Sequence, residues 1–381
     1  MTTLFVTGVT GFLGRYTAAR LLRRAGVDRL VCLVRCDSPE HGRQRLARSL
    51  GRAATEQECA ALMERVDALP GDLMKERFGL DDAAWAELAA ATDGILHCAA
   101  DVRFNRDLEE SRAYNVFGTR QVVDLAHAAQ AAGGLARFDY VSTTYVAGLR
   151  RDVVSEFDLV HDAGWKNPYE QTKYEAEVLL SEIAADLPLT VFRPSIIVGE
   201  STTGATTNFG MLYWPLRVYA QGWWRTIIGR AETTLDIVPV DFVADGIEAL
   251  SRDDSPVGGN YHLAAGPEGV LTIGELAEIT QSYFGGKPAR FMSTKTFWRW
   301  GRPVADMFVW GKKRRVIREG GKFFIPYFDG NPVFDVSRSH GALAELGVPA
   351  PKVRDYFEAI LDYAKRTDFG KSASVGVEGG T

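Results

Sequence analysis

Leu4-Phe5-Val6-Thr7-Gly8-Val9-Thr10-Gly11-Phe12-Leu13-Gly14 runs from an apolar stretch straight into three glycines spaced three apart. Leu4–Val6 reads as a buried strand, and the pattern from about Arg15 to Arg24 reads as a helix. The glycines therefore occupy a strand–loop–helix turn. There, backbone amides and a helix N-terminus face outward with no side chain in the way, which suits the pyrophosphate of a dinucleotide. Thr7, Gly8, Thr10, Gly11, Phe12, Leu13 and Gly14 are the expected contacts. Glycines serving only a tight turn are the plain alternative, and the strand–loop–helix setting at the extreme N-terminus favours the phosphate reading over it.

Working outward, short apolar runs alternate with helical patterns. Strands are expected at Leu30–Val34, Val66–Leu69, Ile95–Cys98, Phe138–Ser142 and Leu189–Val198, and helices at Ser111–Ala132 and Pro168–Ile183. This alternation predicts the α/β class, a doubly wound parallel sheet (Rossmann) with a smaller mixed α/β C-terminal substrate lobe. The dinucleotide-binding domain is expected over residues 1–200, with 235–265 returning to the sheet at Leu235–Val243 and Asn260–Ala264. Residues 201–234 and 266–369 would form the substrate lobe, with a final helix near Val353–Lys365, and 370–381 a disordered tail without apolar periodicity.

Composition narrows the function classes. The 381 residues are 46% hydrophobic and 24% charged, enough apolar side chain for a sizeable core, and a formal charge of −5 does not suit a nucleic-acid binder. Cys32, Cys36, Cys59 and Cys98 show no CxxC spacing and no clustered histidines, so no metal site is expected and the thiols read as reduced. No charged-then-apolar leader precedes Leu4, and no apolar run reaches the ~20 residues that span a bilayer. A cytoplasmic protein is expected, as monomer or homodimer.

The end of the second strand bears on which nicotinamide cofactor fits. Leu33-Val34 leads to Arg35, where an acidic residue would bind a ribose 2′-hydroxyl. A guanidinium suits a 2′-phosphate, so NADPH is favoured over NADH, with Arg43 or Arg45 and Arg15 as further candidates. A solvated strand-end arginine is the alternative, and nearby Asp37 keeps NADH open. Asp72, in Gly71-Asp72-Leu73, suits the adenine amino group or simply a turn. Ala99 and Ala100 are small enough for close approach by a cofactor or for packing.

Tyr169 and Lys173 are four apart on a predicted helix entered through Asn167-Pro168, so they share a face. A tyrosine there can protonate a carbonyl oxygen as hydride arrives. A lysine beside it lowers the phenol's pKa and can hold the nicotinamide ribose. Tyr283 and Lys287 have the same spacing, but Gly285-Gly286 ends the helix between them. Ser142-Thr143-Thr144 supplies three hydroxyls after the fifth strand, and alternation prevents all three from facing one site.

This motif set resembles the extended short-chain dehydrogenase/reductases: TGxxGxLG at the start, His97-Cys98-Ala99-Ala100, Asn115 in NVFGT, VST before a glycine, YxxxK, and Arg193-Pro194-Ser195. The likeness covers roughly residues 3–265. It implies that Thr143 hydrogen-bonds the substrate oxygen beside the catalytic Tyr169 and Lys173. It also implies that Asn115 braces the helix and counts with the cofactor-binding residues, and that Pro194 and Ser195 contact the nicotinamide. LVRCDSPEHGRQRL, HCAADVRFN, YVSTTYVAG, NPYEQTKYEAE, FRPSIIVGES and DIVPVDFVADGI are similar to the thioester reductase and fatty acyl-CoA reductase ("male sterility") branch. That resemblance implies NADPH-dependent reduction of an acyl thioester, presented by acyl-CoA or an acyl carrier protein, to an aldehyde and in some members on to an alcohol. A dehydrogenase or epimerase of a sterol-like or sugar-nucleotide alcohol is the second reading. A non-catalytic NADP(H) sensor is the third, and Thr143, Tyr169 and Lys173 all being present argues against it.

One segment departs from the average charge. Residues 287–322 hold eleven Lys and Arg against Asp306 and Glu319, a local +9 that leaves −14 elsewhere. With Phe291, Phe297, Trp298, Trp300, Phe308 and Trp310 interleaved, the segment suits a peripheral membrane surface, an acidic carrier or coenzyme A phosphates, or else a solvated basic face over core aromatics. Met211, Leu212, Tyr213, Trp214, Trp223 and Trp224 suit an acyl channel or plain core.

Overall fold

The computed structural model describes residues 2–222, 225–252, 255, 257–301 and 324–371. Seven parallel strands form the central sheet: β1 (Thr2–Thr7), β2 (Val27–Val34), β3 (Val66–Pro70), β4 (Gly94–His97), β5 (Arg137–Val141), β6 (Leu189–Pro194) and β7 (Gly259–Leu263), in the order β7-β6-β5-β4-β1-β2-β3. The chain winds outward from β1 to β3, then crosses back to β4 on the other side of β1. That reversal opens a crevice at the C-terminal ends of β1 and β4, the place where such sheets bind ligands. Register brings Thr7 opposite both Leu33 and His97, His97 opposite Tyr140, and Val141 opposite Phe192, so the strand ends converge there.

Both faces of the sheet are apolar because both are covered. Phe5, Phe138, Tyr140 and Val191 pack into one core under α2 (Gly118–Ala132) and α3 (Pro168–Ile183). Their neighbours Val6, Val141 and Phe192 face the opposite core with α1 (Phe12–Arg23) and the helix Val240–Leu250. Alternation along each strand thus sorts side chains between two cores.

Three expectations need correction. The stretch Leu189–Val198 is not one strand: β6 ends at Pro194, and Ile196–Val198 pairs in parallel with Ile237–Pro239 instead. The ladder changes hands at Ser195, whose amide still donates to Leu263 O at 3.1 Å, whereas Ile196 N turns to Asp236 O. For the same reason Leu235–Val243 does not rejoin the main sheet. Leu235 pairs with Leu271, Ile237–Pro239 with Ile196–Val198, and Val240, Val243, Ile247 and Leu250 then recur at helical spacing along a buried face. The helix expected over Ser111–Ala132 is interrupted by a π turn at Ala113–Phe117, which sets Tyr114 and Asn115. The tail from 372 and residues 302–323, most of the basic aromatic segment, lie outside the described residues, as do Trp223 and Trp224. Of the aromatics expected in that segment, Phe297 is core, packed with Ile228, Ile325 and Met292. No described helix is long and apolar enough to cross a membrane.

Candidate active site

The crevice is a cleft of about 860 Å³ that starts at the glycine loop and extends to residues 208–217 and 324–327. Gly8 shapes its floor. Its φ of 82° lies in the left-handed region, and a Cβ there would come within 2.7 Å of Ala99 N, so the loop crosses the end of β4 only as glycine. A Cβ on Gly14 would meet Gly8 O at 2.1 Å, which closes the turn. The N-cap, Gly11, offers no side-chain cap and α1 has no acidic residue in its first turn. The amides at the start of this 12-residue helix are thereby left for an anion.

Thr7, Gly8, Thr10, Gly11, Phe12, Leu13, Gly14, Arg35, Arg45, Asp72, Leu73, Ala99, Ala100, Thr143, Tyr169, Lys173, Pro194 and Ser195 all line this cleft. Beneath it, Thr7 Oγ1 lies 2.7 Å from His97 Nδ1 and accepts from Ala99 N at 3.1 Å. Burial holds the His97 pKa down to about 3, so the ring is a neutral brace.

At the outer end Arg35 Nη1 donates to Tyr114 Oη at 2.7 Å, Arg45 donates to the Arg35 carbonyl, and both residues line the cleft. Asp37 is fully exposed and does not line the cleft. Arg43 is spent on the carbonyls of Val66 and Met63, and Arg15 Nε donates to Gly11 O, so neither reaches this end. Asp72 lines the cleft and also closes a turn by accepting from Met74 N.

Asn115 is the exception among the expected cofactor contacts, because it does not line the cleft. It lies buried behind the cleft, its Oδ1 accepting from Asp101 N at 2.8 Å. Its Nδ2 donates to Asp101 O at 3.1 Å and to Thr172 Oγ1 at 2.9 Å. Asn115 thus ties the segment after β4 to the helix that carries Tyr169.

That helix, α3, begins at Pro168, and Asn167 caps it by accepting from Glu170 N. Tyr169 and Lys173 both face the cleft. Burial raises the Tyr169 pKa, and the neighbouring Thr143 hydroxyl is the group that pulls it back. The lysine was expected to do this. Instead Lys173 Nζ is held at the sheet, donating to Tyr140 Oη at 2.6 Å and Val141 O at 2.7 Å. Burial pushes its pKa down to about 7, opposed by the Glu177 carboxylate. Glu177 is itself paired with Arg193 at 2.6 Å, both side chains at most 2% exposed. Arg193 of the RPS motif therefore clamps α3 to β6, while Pro194 and Ser195 face the cleft.

Of the three hydroxyls after β5, Ser142 and Thr143 reach the cleft and Thr144 does not. Ser142 Oγ is buried with no hydrogen-bond partner among the described residues. Sequence reasoning missed Ser142, Tyr145, Phe104 and Tyr327. The first two stand beside Thr143 and Thr144 in a stretch already singled out. Tyr327 carries no local signal: it arrives from 158 positions downstream to donate to Glu170 Oε1 at 2.5 Å, next to Tyr169 in sequence. Met211 and Trp214 line the far wall, whereas Leu212 and Tyr213 are core. Tyr283 is off the site, bonded to Asp362. All four cysteines are free, and Cys98 borders the cleft.

A family model described as "Male sterility protein" matches residues 6–247. Nonribosomal peptide synthetase asaC of Aspergillus flavus is 32% identical over 274 residues, and glycine betaine reductase ATRR of Emericella nidulans is 34% identical over 283 residues. Each match covers 68% of this chain. The chain spans only 26% and 21% of those two relatives. Among solved structures, the terminal R domain of the myxalamid PKS-NRPS pathway superposes with a TM-score of 0.83 at 26% identity, covering 97% of this chain and 92% of that one. The reductase domain of a Mycobacterium tuberculosis nonribosomal peptide synthetase gives 0.72 at 25% identity, with the same coverage. UDP-glucuronic acid 4-epimerase from Bacillus cereus, bound to NAD, shares the fold at 19% identity, with a TM-score of 0.64 over 98% of this chain and 99% of that one. The glycine-loop cleft, the Tyr169–Lys173 pair and these likenesses place the chain in the male sterility protein family of extended short-chain dehydrogenase/reductases, an NAD(P)-binding oxidoreductase family.

Proposed function

We propose that this protein is an NADPH-dependent reductase of carrier-bound acyl thioesters, releasing an aldehyde and able to take it on to the alcohol. The observation that carries this reading is one continuous cleft in which the glycine loop, the Thr143–Tyr169–Lys173 group and an aromatic compartment follow one another. The cleft's own atoms fit the cofactor. The amides of the uncapped α1 N-terminus suit a pyrophosphate, the buried Ser142 hydroxyl awaits a partner, and Arg35 with Arg45 suits a 2′-phosphate better than the outward-turned Asp37 suits a ribose hydroxyl.

Bound there, the reduced nicotinamide supplies hydride to the thioester carbonyl carbon. Tyr169 and Thr143 donate hydrogen bonds to the carbonyl oxygen as it gains charge, with Tyr169 as the proton source. The Lys173 ammonium, held on Tyr140 Oη and Val141 O, would supply positive charge at the sheet side of the cleft and a donor for the nicotinamide ribose. Collapse of the hemithioacetal returns its hydroxyl proton to Tyr169 and expels the thiolate, which takes a proton from water, leaving the aldehyde. With NADP+ exchanged for a second NADPH as the hydride source, Tyr169 again donates the proton in a second reduction. Phe104, Tyr145, Tyr327, Trp214 and Phe324 wall off the chain from water, a surface suited to an acyl or peptidyl group more than to a sugar. A carrier protein is the favoured presenter because the relatives include peptide synthetases far longer than this chain.

The test is NADPH oxidation with acyl groups loaded on a phosphopantetheinylated carrier and on coenzyme A, with products identified by mass spectrometry. Aldehyde or alcohol formed with NADPH, and much more slowly with NADH, is the expected result. No product from either presenter would overturn the reading.

A further inference from the structure

Beyond Tyr169 the cleft opens into a compartment walled by residues 208–217 and 324–327. The helix Tyr213–Ala220 presents Trp214 and Arg217, three apart and so on one face, to that space. Trp214 stacks on Phe324 with ring centroids 5.1 Å apart. Arg217 follows one turn later. Its Nε is buried without a hydrogen-bond partner, and among the described residues no carboxylate pairs with its guanidinium.

Among the described residues, Arg15 Nη1 and Arg225 Nη1 are also buried without a hydrogen-bond partner, but neither residue lines the cleft, and other shielded arginines are paired. Arg193 is paired with Glu177, Arg137 with Asp139, and Arg150 with Asp152 and Asp158. A buried donor left unmade is costly, and folds tolerate it where a ligand completes the bond. The cofactor's anionic groups have other partners. The glycine loop suits the pyrophosphate, and Arg35 with Arg45, at the opposite end of the cleft, suits the 2′-phosphate. Apolar neighbours Met211, Trp214 and Phe324 strengthen any charge pairing made at Arg217 by excluding water.

We propose that Arg217 anchors an oxyanion-binding subsite in the substrate compartment, gripping an anionic oxygen group carried by the substrate. Resting on the thioester reductase reading, this narrows the substrate class: the thioester carries an anion at a fixed remove from its carbonyl. Two sources share that chemistry, the phosphate of a phosphopantetheine arm and a carboxylate on the acyl chain. A planar guanidinium binds either in bidentate fashion.

Titration calorimetry on NADPH-saturated protein tests this without turnover, using 4′-phosphopantetheine against pantetheine and glutarate against glutaramide. Wild type is expected to hold the anionic member of one pair at least about tenfold tighter. Arg217→Gln should erase that preference, Arg217→Lys should keep part of it, and NADPH affinity should stay within about twofold in both variants. A preference in the first pair assigns the subsite to the arm, and in the second to the chain. No preference in either pair, a preference that survives Arg217→Gln, or a loss of NADPH affinity in that variant would overturn the proposal. Failure to reduce any acyl thioester would remove the reductase reading and leave the calorimetric result standing.

Discussion

The cleft has two walls made in different ways. The wall formed by residues 7–14, 35–45, 72–73, 98–100 and 142–143 comes from the ends of adjacent parallel strands, so the ladder register alone brings its parts together. Much of its surface is backbone, as at Gly8, where no side chain fits. The wall formed by 208–217 and 324–327 comes from excursions outside the main sheet, and its surface is side chain: Trp214 on Phe324, and Tyr327 on Phe104 at 6.0 Å. A backbone wall recognises a ligand of fixed shape and tolerates little change. A side-chain wall is free to vary with the substrate.

If that division is right, damage to the first wall or to the helix beside it should strike chemistry, fold or cofactor, and damage to the second should strike substrate alone. The largest effect is expected from Tyr169→Phe, which removes the proposed proton source. Single-turnover reduction should slow by about 10²–10⁴-fold with NADPH affinity unchanged, and a loss under tenfold would move the proton to another group. Next comes Glu177→Gln, which leaves the Arg193 guanidinium unpaired in a dry interface. Denaturant unfolding should show a loss of about 3–5 kcal/mol, and a loss below about 1 kcal/mol would mean that the clamp between α3 and β6 is dispensable.

Arg35→Ala should lower NADPH affinity by roughly 10–100-fold and leave NADH affinity nearly unchanged, measured by fluorescence titration of both. An equal loss for both cofactors would place Arg35 elsewhere on the nucleotide. The pH profile follows from Lys173. Its pKa, about 7 in the folded protein, is lowered from an ordinary 10.5 by burial. In the proposed mechanism the ammonium is the working form, so kcat/KM should fall about tenfold per unit above pH 7. Stability should move the other way. Between about pH 7 and 10.5 the unfolded chain holds the extra proton, so the fold gains about 1.4 kcal/mol per unit as pH rises and loses it as pH falls through 7. Tyr140→Phe, which removes the 2.6 Å bond to Lys173, should shift the midpoint of the rate profile; an unmoved midpoint would detach the profile from this lysine. The smallest effect belongs to the far wall. Trp214→Ala should raise KM about tenfold for a long acyl thioester with kcat and NADPH affinity retained, and a fall in NADPH affinity would show the two walls to be one.

The chain's legibility divides along the same line. Gly8, Gly11 and Gly14 were readable because a turn that crosses a neighbouring strand forbids a Cβ, and that prohibition is written at fixed spacing. Tyr169 and Lys173 were readable because four residues make about one helical turn, whereas Tyr283 and Lys287 share the spacing and fail at Gly285. Asn115 was expected both to brace the helix and to count with the cofactor-binding residues; its amide holds Asp101 and Thr172, and it does not line the cleft. The lysine's influence on the phenol was expected from their shared face, yet Lys173 is drawn down to Tyr140 and Val141. Tyr327 and Arg217 carry no pattern at all.

Sequence by itself determined the winding of the sheet, the turn for a dinucleotide and the face that carries tyrosine and lysine, because each follows from backbone periodicity over a few residues. Only the tertiary structure decided that β6 changes partner after Ser195, that Arg193 locks Glu177, that Tyr327 reaches Glu170 and that Arg217 stands in the cleft with no carboxylate partner among the described residues. Those arrangements depend on which distant side chains meet and which are left without a partner. Side-chain pairing across long stretches of chain is set by packing, and packing leaves no spacing to read.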